Sequence, residues 1–282
     1  DAASMAFLIF GLRTGRRSMF ALGGLCLGLS QNFYFAARLF VVVAALYLLH
    51  QLLLHRLAFV RRHLAGLLLF SLFAFLSASP LVYVAAANPT QFNERAQTVT
   101  VFKEVQQAGS YDPLIQNVRK HLLMFNLVGD GNGRHNLPGS PMLETLTAAL
   151  AVLGFVLALT RIRRPEFALP FIWWLVMLQG GIWSLAFEAP QGYRTIDLVV
   201  AVALLVALPV AALAERLIAI GGRARVRLAG RPTPLGAAAA GLLVAVALGA
   251  VAYENVERYF VLQANNFAVW AAHATPETLI GR

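Results

Sequence analysis

The segment 129–139 concentrates several kinds of polar side chain between alternating glycines. Gly129, Gly131 and Gly133 allow tight turns and a close approach of the backbone to a ligand. The segment brings together one carboxylate, one guanidinium, one imidazole and two amides, from Asp130, Arg134, His135, Asn132 and Asn136. This pattern predicts either a polar binding site or a structured glycine turn.

Charged residues at the ends of apolar runs form a second candidate site. Arg38 follows the apolar residues 33–37, and Glu188 and Arg194 bracket a short connection between two long apolar runs. Charge at membrane depth is costly and by default suggests function, although arginine at a helix end can extend to the interface and a Glu–Arg pair can be structural only. Two arginines on one side of a membrane suit a lipid phosphate, because guanidinium binds phosphate oxygens through two hydrogen bonds.

Other kinds of chemistry have no recognisable pattern in the sequence. Arg134 and His135 stand where an EF-hand loop requires Asp or Asn and then Gly, and no Gly-Lys-Ser/Thr loop for nucleotide phosphates is present. No spacing of His, Cys, Asp and Glu resembles a metal site, and no Ser-His-Asp arrangement is apparent. Cys26 is the only cysteine, which excludes an intramolecular disulfide. No cofactor is evident, and a divalent metal is not indicated.

The composition places these residues in a membrane protein. Hydrophobic residues make up 59% of the 282 residues and charged residues 13%, whereas soluble chains carry roughly 25% charged residues. Apolar runs of about 18 residues or more are typical of membrane-spanning helices. We therefore expect an all-α, polytopic transmembrane helix bundle.

The apolar runs predict seven full spans after a truncated first one at 2–12. They cover residues 18–37, 39–54, 64–87, 141–160, 167–187, 195–214 and 235–253. The predicted organisation is transmembrane helices in 1–87, an outer loop in 88–140, transmembrane helices in 141–253 and an outer tail in 254–282. The start at Asp1 and the short first run suggest a piece of a longer protein.

Basic residues predict the orientation of the chain. The short loops around Arg13, Arg56, Arg163 and Arg225 hold 14 of the 23 Lys and Arg residues, and such loops stay in the cytoplasm. The loop 88–140 and the tail therefore face the periplasm or exterior. Because the net charge of +10 reflects this distribution, we do not expect nucleic acid as a partner.

The outer loop contains one predicted amphipathic helix. Asp112 and Pro113 form a typical helix start, and five apolar residues then share one face: Leu114, Ile115, Val118, Leu122 and Phe125. The helix lies either on the outer membrane surface or packed against the transmembrane bundle.

Three segments of the sequence resemble family 39-type glycosyltransferases of the GT-C class. They are residues 22–38, residues 121–139 with the glycine-rich turn, and residues 180–194 with Glu188 and Arg194. Relatives in this class include protein O-mannosyltransferases and lipid A aminoarabinose transferases. They take a sugar from a polyprenyl-phosphate carrier at the outer leaflet and pass it to a protein, lipid or glycan acceptor.

The resemblance implies a role for each candidate residue. Arg38 and Arg194 would bind the donor phosphate, with Glu188 orienting Arg194, and the residues of the turn would line the entrance for the sugar or acceptor: Asp130, Asn132, Arg134, His135 and Asn136. The catalytic base of such enzymes is a carboxylate in the first outer loop, which we expect upstream of Asp1. The implied location is the cytoplasmic (inner) membrane of a bacterial-type cell envelope.

Two other function classes remain open from the sequence alone. A transporter or flippase of a lipid-linked or anionic solute would carry polar residues at mid-membrane depth and broken helices. A non-catalytic membrane scaffold would tolerate replacement of the glycine-rich turn.

Overall fold

The described part of the chain is mostly helical, with one short two-stranded hairpin, which confirms the all-α class. The computed structural model describes residues 1–222, 224–228 and 231–273. The helices are α1 (Ala2–Thr14), α2 (Arg17–Ser30), α3 (Phe40–Ala87), α4 (Pro89–Thr98), α5 (Val101–Ala108), α6 (Asp112–Leu123), α7 (Thr145–Thr160), α8 (Pro165–Ile182), α9 (Leu198–Gly221), α10 (Leu235–Val256) and α11 (Phe267–Ala272). Short 3₁₀ turns cover Phe35–Leu39, Ala186–Glu188 and Tyr193–Thr195, and a π-helical turn covers Glu257–Gln263.

Several helices are long and apolar enough to cross a membrane. Within the described residues these are Phe35–Ala87, Leu198–Gly221 and Leu235–Gln263, and a fourth results if α7 and α8 are counted together as one span. The protein is therefore an integral membrane protein by the length and composition of its helices. The full count of seven spans stays a prediction, because α2, in the first of these runs, is a shorter apolar helix and α7 and α8 meet the criterion only together.

The helix α3 contains two of the predicted spans. The helix is kinked at Arg56, which has a φ of 52° and a ψ of −145°, far from helical values. This single residue divides the helix into the pieces 40–55 and 57–87. The first two predicted spans, 18–37 and 39–54, are separated by more than Arg38. The helix α2 ends at Ser30, and α3 begins only at Phe40.

The chain divides into two compact units. The first contains residues 1–118, 162–189 and 194–201, and the second contains 119–161, 190–193 and 202–282. The first unit includes α1–α5 and α8, and the second includes α7, α10 and α11, whereas α6 and α9 each contribute to both.

Small residues allow the first unit to pack closely. Gly15, with a φ of 72°, ends α1 and allows α2 to return against it, since glycine adopts this conformation without a steric penalty. A methyl group at Gly24 or Gly28 would overlap the carbonyl oxygen of Phe70 or Ala74, respectively, so α2 lies directly against α3. Trp173 of α8 packs edge-on against Phe40, with ring centroids 4.6 Å apart.

In the second unit, the basic turn after α9 forms a short hairpin. In it, β1 (Arg225–Leu228) pairs antiparallel with β2 (Arg231–Pro234). The strand register places Arg225 opposite Pro234, and the amide of Leu235 donates to the carbonyl of Ala224 at 2.8 Å. Arg223 of this turn and residues 274–282 of the predicted tail lie outside the described residues.

The outer loop has more structure than the sequence indicates. Two helices, α4 and α5, precede the predicted helix α6, and Thr100 caps α5 by accepting a hydrogen bond from the amide of Phe102. The predicted helix itself is confirmed at Asp112–Leu123. The sequence gives little signal for α4 and α5, because both are short and neither carries a long apolar stripe.

Candidate functional site

The first unit contains a cavity of about 320 Å³ that is lined by two of the predicted site residues. Its size falls within the range of small-ligand sites, which begins at about 300 Å³. The walls come from the 3₁₀ turn before α3, the junction of α4 and α5, the end of α8 and the segment before α9. The lining residues are Tyr34, Phe35, Ala36, Arg38, Leu39, Ala96, Val99, Thr100, Phe102, Gln179, Gly180, Trp183, Ser184 and Arg194.

Arg38 lines this cavity, and no carboxylate among the described residues forms an ion pair with it. Its guanidinium carbon lies 4.8 Å from the ring centroid of Phe35 and 4.4 Å from that of Phe92. Aromatic faces attract a cation but supply no hydrogen-bond acceptor. The buried Nε atom has no hydrogen-bond partner among the described residues. Arg38 is therefore equipped to bind an anion that enters the cavity.

Arg194 lines the same cavity and is held by two groups of the protein. Its Nη2 donates to Oε2 of Glu188 at 3.0 Å, and its Nη1 donates to the carbonyl of Val99 at 3.3 Å. The side chains of Arg194 and Glu188 are 17% and 33% exposed, respectively. The contact between Glu188 and Arg194 is the one expected from the sequence. Glu188 therefore pairs with one of the two guanidiniums that line the cavity.

The irregular backbone after α8 positions one wall of the cavity. The carbonyls of Ile182 and Ser184 both accept hydrogen bonds from Nδ2 of Asn117, at 3.0 and 2.6 Å. The carbonyl of Trp183 accepts from the amide of Val101 at 3.0 Å. These bonds satisfy backbone groups that the end of the helix leaves without partners, and they fix Trp183 against the start of α5.

Sequence reasoning missed the aromatic part of the site. Trp183 is 49% exposed and Phe102 is 53% exposed, and both line the cavity. One signal was present, since tryptophan at the end of an apolar helix is typical of a membrane interface. Phe102 had no comparable signal, because aromatic residues occur throughout this chain.

The second unit contains the other predicted group, centred on Asp130. This carboxylate is 2% exposed and accepts three hydrogen bonds, from the amide of Asn132 at 2.8 Å, the amide of Gly192 at 2.8 Å and Nδ1 of His135 at 2.9 Å. The ring of His135 stacks on Tyr193, with centroids 5.4 Å apart. Asp130 thus holds its own loop and the segment 190–193 together, and it orients His135.

Of the other polar residues of the turn, some are buried and stabilise its backbone, and others are exposed. Asn136 is buried and donates to the carbonyls of Asp130 and Ser140. Arg134 is exposed and donates through Nε to the carbonyl of Ala272, and Asn132 accepts from the amide of Arg134 at 3.0 Å. The buried groups of the turn support its backbone, whereas the exposed Asn132 and Arg134 and the partly exposed His135 are the polar groups that a ligand could reach.

Among the described residues, no group of three or more His, Cys, Asp or Glu side chains is arranged to hold a metal ion. Comparison of the chain with protein-family models, curated proteins and solved structures found no match.

Proposed function

We propose that this chain is the carrier-binding portion of a membrane glycosyltransferase. In this proposal the cavity of the first unit binds the phosphate of a polyprenyl-phosphate sugar, and the sugar passes to a protein, lipid or glycan acceptor at the outer membrane face. The observation that supports it best is the unpaired guanidinium of Arg38 in a cavity that also contains Arg194. Both side chains were singled out for phosphate binding on sequence grounds.

The lining of the cavity suits a phosphate attached to a lipid. Guanidinium groups form charge-assisted hydrogen bonds with phosphate oxygens, and these bonds gain strength where water is displaced. Aromatic and aliphatic side chains make up most of the remaining wall, which favours an amphiphilic ligand over a free, fully hydrated anion. In the same proposal the acceptor binds beside the exposed groups of the glycine-rich turn.

Binding of polyprenyl phosphate to the full-length protein in lipid nanodiscs tests the proposed site. A charge-assisted hydrogen bond contributes about 1.5–3 kcal/mol, so Arg38→Ala and Arg194→Ala should each weaken binding roughly ten- to hundredfold. Arg164→Ala is the matched control, because Arg164 is exposed and pairs with Glu166 at 2.7 Å outside the cavity. Unchanged affinity in both cavity variants would refute the site.

Transfer activity separates the proposed enzyme from the alternative classes. Membranes with the full-length protein are supplied with labelled polyprenyl-phosphate sugars, and label covalently attached to an acceptor is measured. A transferase attaches the label, and Arg194→Ala abolishes the attachment. A transporter or flippase moves the labelled lipid across the membrane and leaves its covalent linkage unchanged, whereas a scaffold does neither.

A further inference from the structure

The outer-loop helix α6 turns polar side chains inward and apolar side chains outward. Asn117 and His121 are both 0% exposed, and they are four residues apart on one helix face. Ile115 is 61% exposed and Leu122 is 47% exposed, while Tyr111 just before the helix is 68% exposed. This is the reverse of the pattern of a helix that packs its apolar face on a protein core.

Hydrogen bonds fix the helix in this rotation. Asn117 donates to two carbonyls after α8, and Nε2 of His121 accepts from the amide of Gln191 at 3.1 Å. Turning Ile115 and Leu122 inward would leave these buried polar groups without their partners, which is unfavourable. The outward apolar face is therefore a stable feature of the helix.

The contact between α6 and the end of α8 indicates the depth of α6 in the membrane. The helix α8 begins next to the basic turn 161–164, which the charge distribution places at the inner surface. Its 18 residues rise by about 27 Å, close to the thickness of the hydrocarbon core. Asn117 bonds to Ile182, the last residue of that helix. In the predicted topology, where α8 is a full span of its own, this contact puts α6 at the outer boundary between hydrocarbon and head groups.

The flanks of the apolar face carry side chains that suit this boundary. Arg119 follows Ile115 by four residues, and both are exposed on neighbouring positions of the helix surface. Arginine at such a place extends its charged end toward lipid phosphates while its methylenes stay against apolar surface. Tyrosine is enriched at the same level in membrane proteins, which agrees with the exposed Tyr111.

We propose that the face of Tyr111, Ile115 and Leu122 is embedded in the outer lipid leaflet, with Arg119 at the phosphate level. Its partner is the bilayer itself, not a protein subunit. The inference uses the orientation predicted from the basic loops and is independent of the transfer reaction, so either proposal can fail without the other.

Fluorescence quenching of labelled single-cysteine variants tests this contact. Cys26→Ser removes the native thiol, and Ile115→Cys, Leu122→Cys and Gln116→Cys are labelled with an environment-sensitive dye in the full-length protein. Gln116 is the matched control, because it is exposed on the same helix but lies away from the apolar face. The protein is placed in vesicles of phosphatidylcholine and phosphatidylglycerol that contain a shallow spin-labelled lipid quencher, and iodide is the aqueous quencher.

Lipid contact predicts opposite results at the two kinds of position. Quenching by the spin-labelled lipid should be about threefold stronger at positions 115 and 122 than at 116, and quenching by iodide correspondingly weaker. Equal access of iodide to all three positions would show that the face is in water and overturn the proposal. Protection of positions 115 and 122 from both quenchers would also overturn it, because protein would then cover the face.

Discussion

Arg38 and Arg194 line one cavity but are held in different ways. Arg194 is oriented by Glu188 and by the carbonyl of Val99, whereas Arg38 meets the faces of Phe35 and Phe92. An arginine that is already bonded to protein acceptors is pre-organised, which lowers the entropy lost when it binds a ligand. An arginine without an acceptor retains more of its hydrogen-bonding capacity for the ligand. The two residues thus make complementary contributions to an anion site.

The pairing of Glu188 with Arg194 predicts a specific coupling between their substitutions. Glu188→Ala removes the group that orients Arg194, and it should weaken binding of polyprenyl phosphate about three- to tenfold in the otherwise native protein. In the Arg194→Ala background the same change should weaken binding no further, because no guanidinium remains to be oriented. Binding measured for the two single variants and the double variant gives the coupling. Equal losses from Glu188→Ala in both backgrounds would contradict a positioning role.

The charged part of the cavity could be predicted from the sequence, but its aromatic part could not. Arg38, Glu188 and Arg194 stand out because only 13% of this chain is charged, and each charge near an apolar run requires an explanation. Trp183 and Phe102 belong to a background of aromatic residues, and only the folded chain shows that they share a cavity. For Asp130 the residue type alone was misleading. A carboxylate in a polar turn suggests a ligand-binding group, whereas in the structure Asp130 is buried and accepts hydrogen bonds from its own loop and from Gly192.

At the level of elements, glycine positions decide how closely α2 and α3 approach. The sequence shows Gly24 and Gly28 four residues apart, a spacing that favours close helix packing in membranes. The structure confirms the close approach and identifies α3 as the partner helix through Phe70 and Ala74. Sequence alone could not identify this partner, because any apolar helix offers a similar surface to a small-residue stripe.

This packing predicts that added methyl groups have opposite effects at two glycines. Gly24→Ala places a methyl group against the carbonyl of Phe70, and overpacking of this kind costs typically 1–3 kcal/mol. Gly241→Ala is the matched control, since it also lies in a helix but has no atom within 4 Å of the added carbon among the described residues. There the better helix propensity of alanine should leave stability unchanged or higher.

Thermal unfolding of the two variants in detergent provides the comparison. We expect a lower midpoint for Gly24→Ala and an unchanged or higher midpoint for Gly241→Ala. A similar midpoint for both would mean that α2 and α3 can separate without loss of stability, which is incompatible with their direct contact.

For the whole molecule, composition correctly predicts an all-α membrane protein but is a weaker guide to the number of membrane-spanning helices. The long helices overlap the predicted apolar runs, but their bounds differ from those runs: α2 ends at Ser30, α7 begins at Thr145 and α9 continues to Gly221. The outer helices α4 and α5 could not be predicted from apolar runs, because no such run covers them. Thr100 caps α5, and the amide of Ala186, in the 3₁₀ turn after α8, donates to Glu104 of α5 at 2.6 Å; such contacts have no periodic signal in the sequence.

The orientation of the chain is the remaining prediction at this scale. In a chain with Cys26→Ser, Gln107→Cys places a thiol on the exposed surface of α5, and Arg163→Cys places one in the exposed basic turn before α8. Because basic loops resist translocation, a membrane-impermeant maleimide should label position 107 in intact cells and position 163 only after permeabilisation. The extent of labelling is measured by mass spectrometry of the protein, and the cysteine-free chain is the negative control.

The opposite labelling pattern would have consequences beyond topology. The strand-like pairing of Thr100 with Ser184 and the bond from Arg194 to Val99 tie α4 and α5 to the cavity, so the side of the membrane that position 107 faces is also the side of Arg38 and Arg194. If that side were cytoplasmic, the cavity could not bind a carrier whose phosphate lies at the outer face. Sugar transfer at the outer face would then be excluded for this site. Labelling at position 107 in intact cells is therefore a condition that the proposed transferase must satisfy.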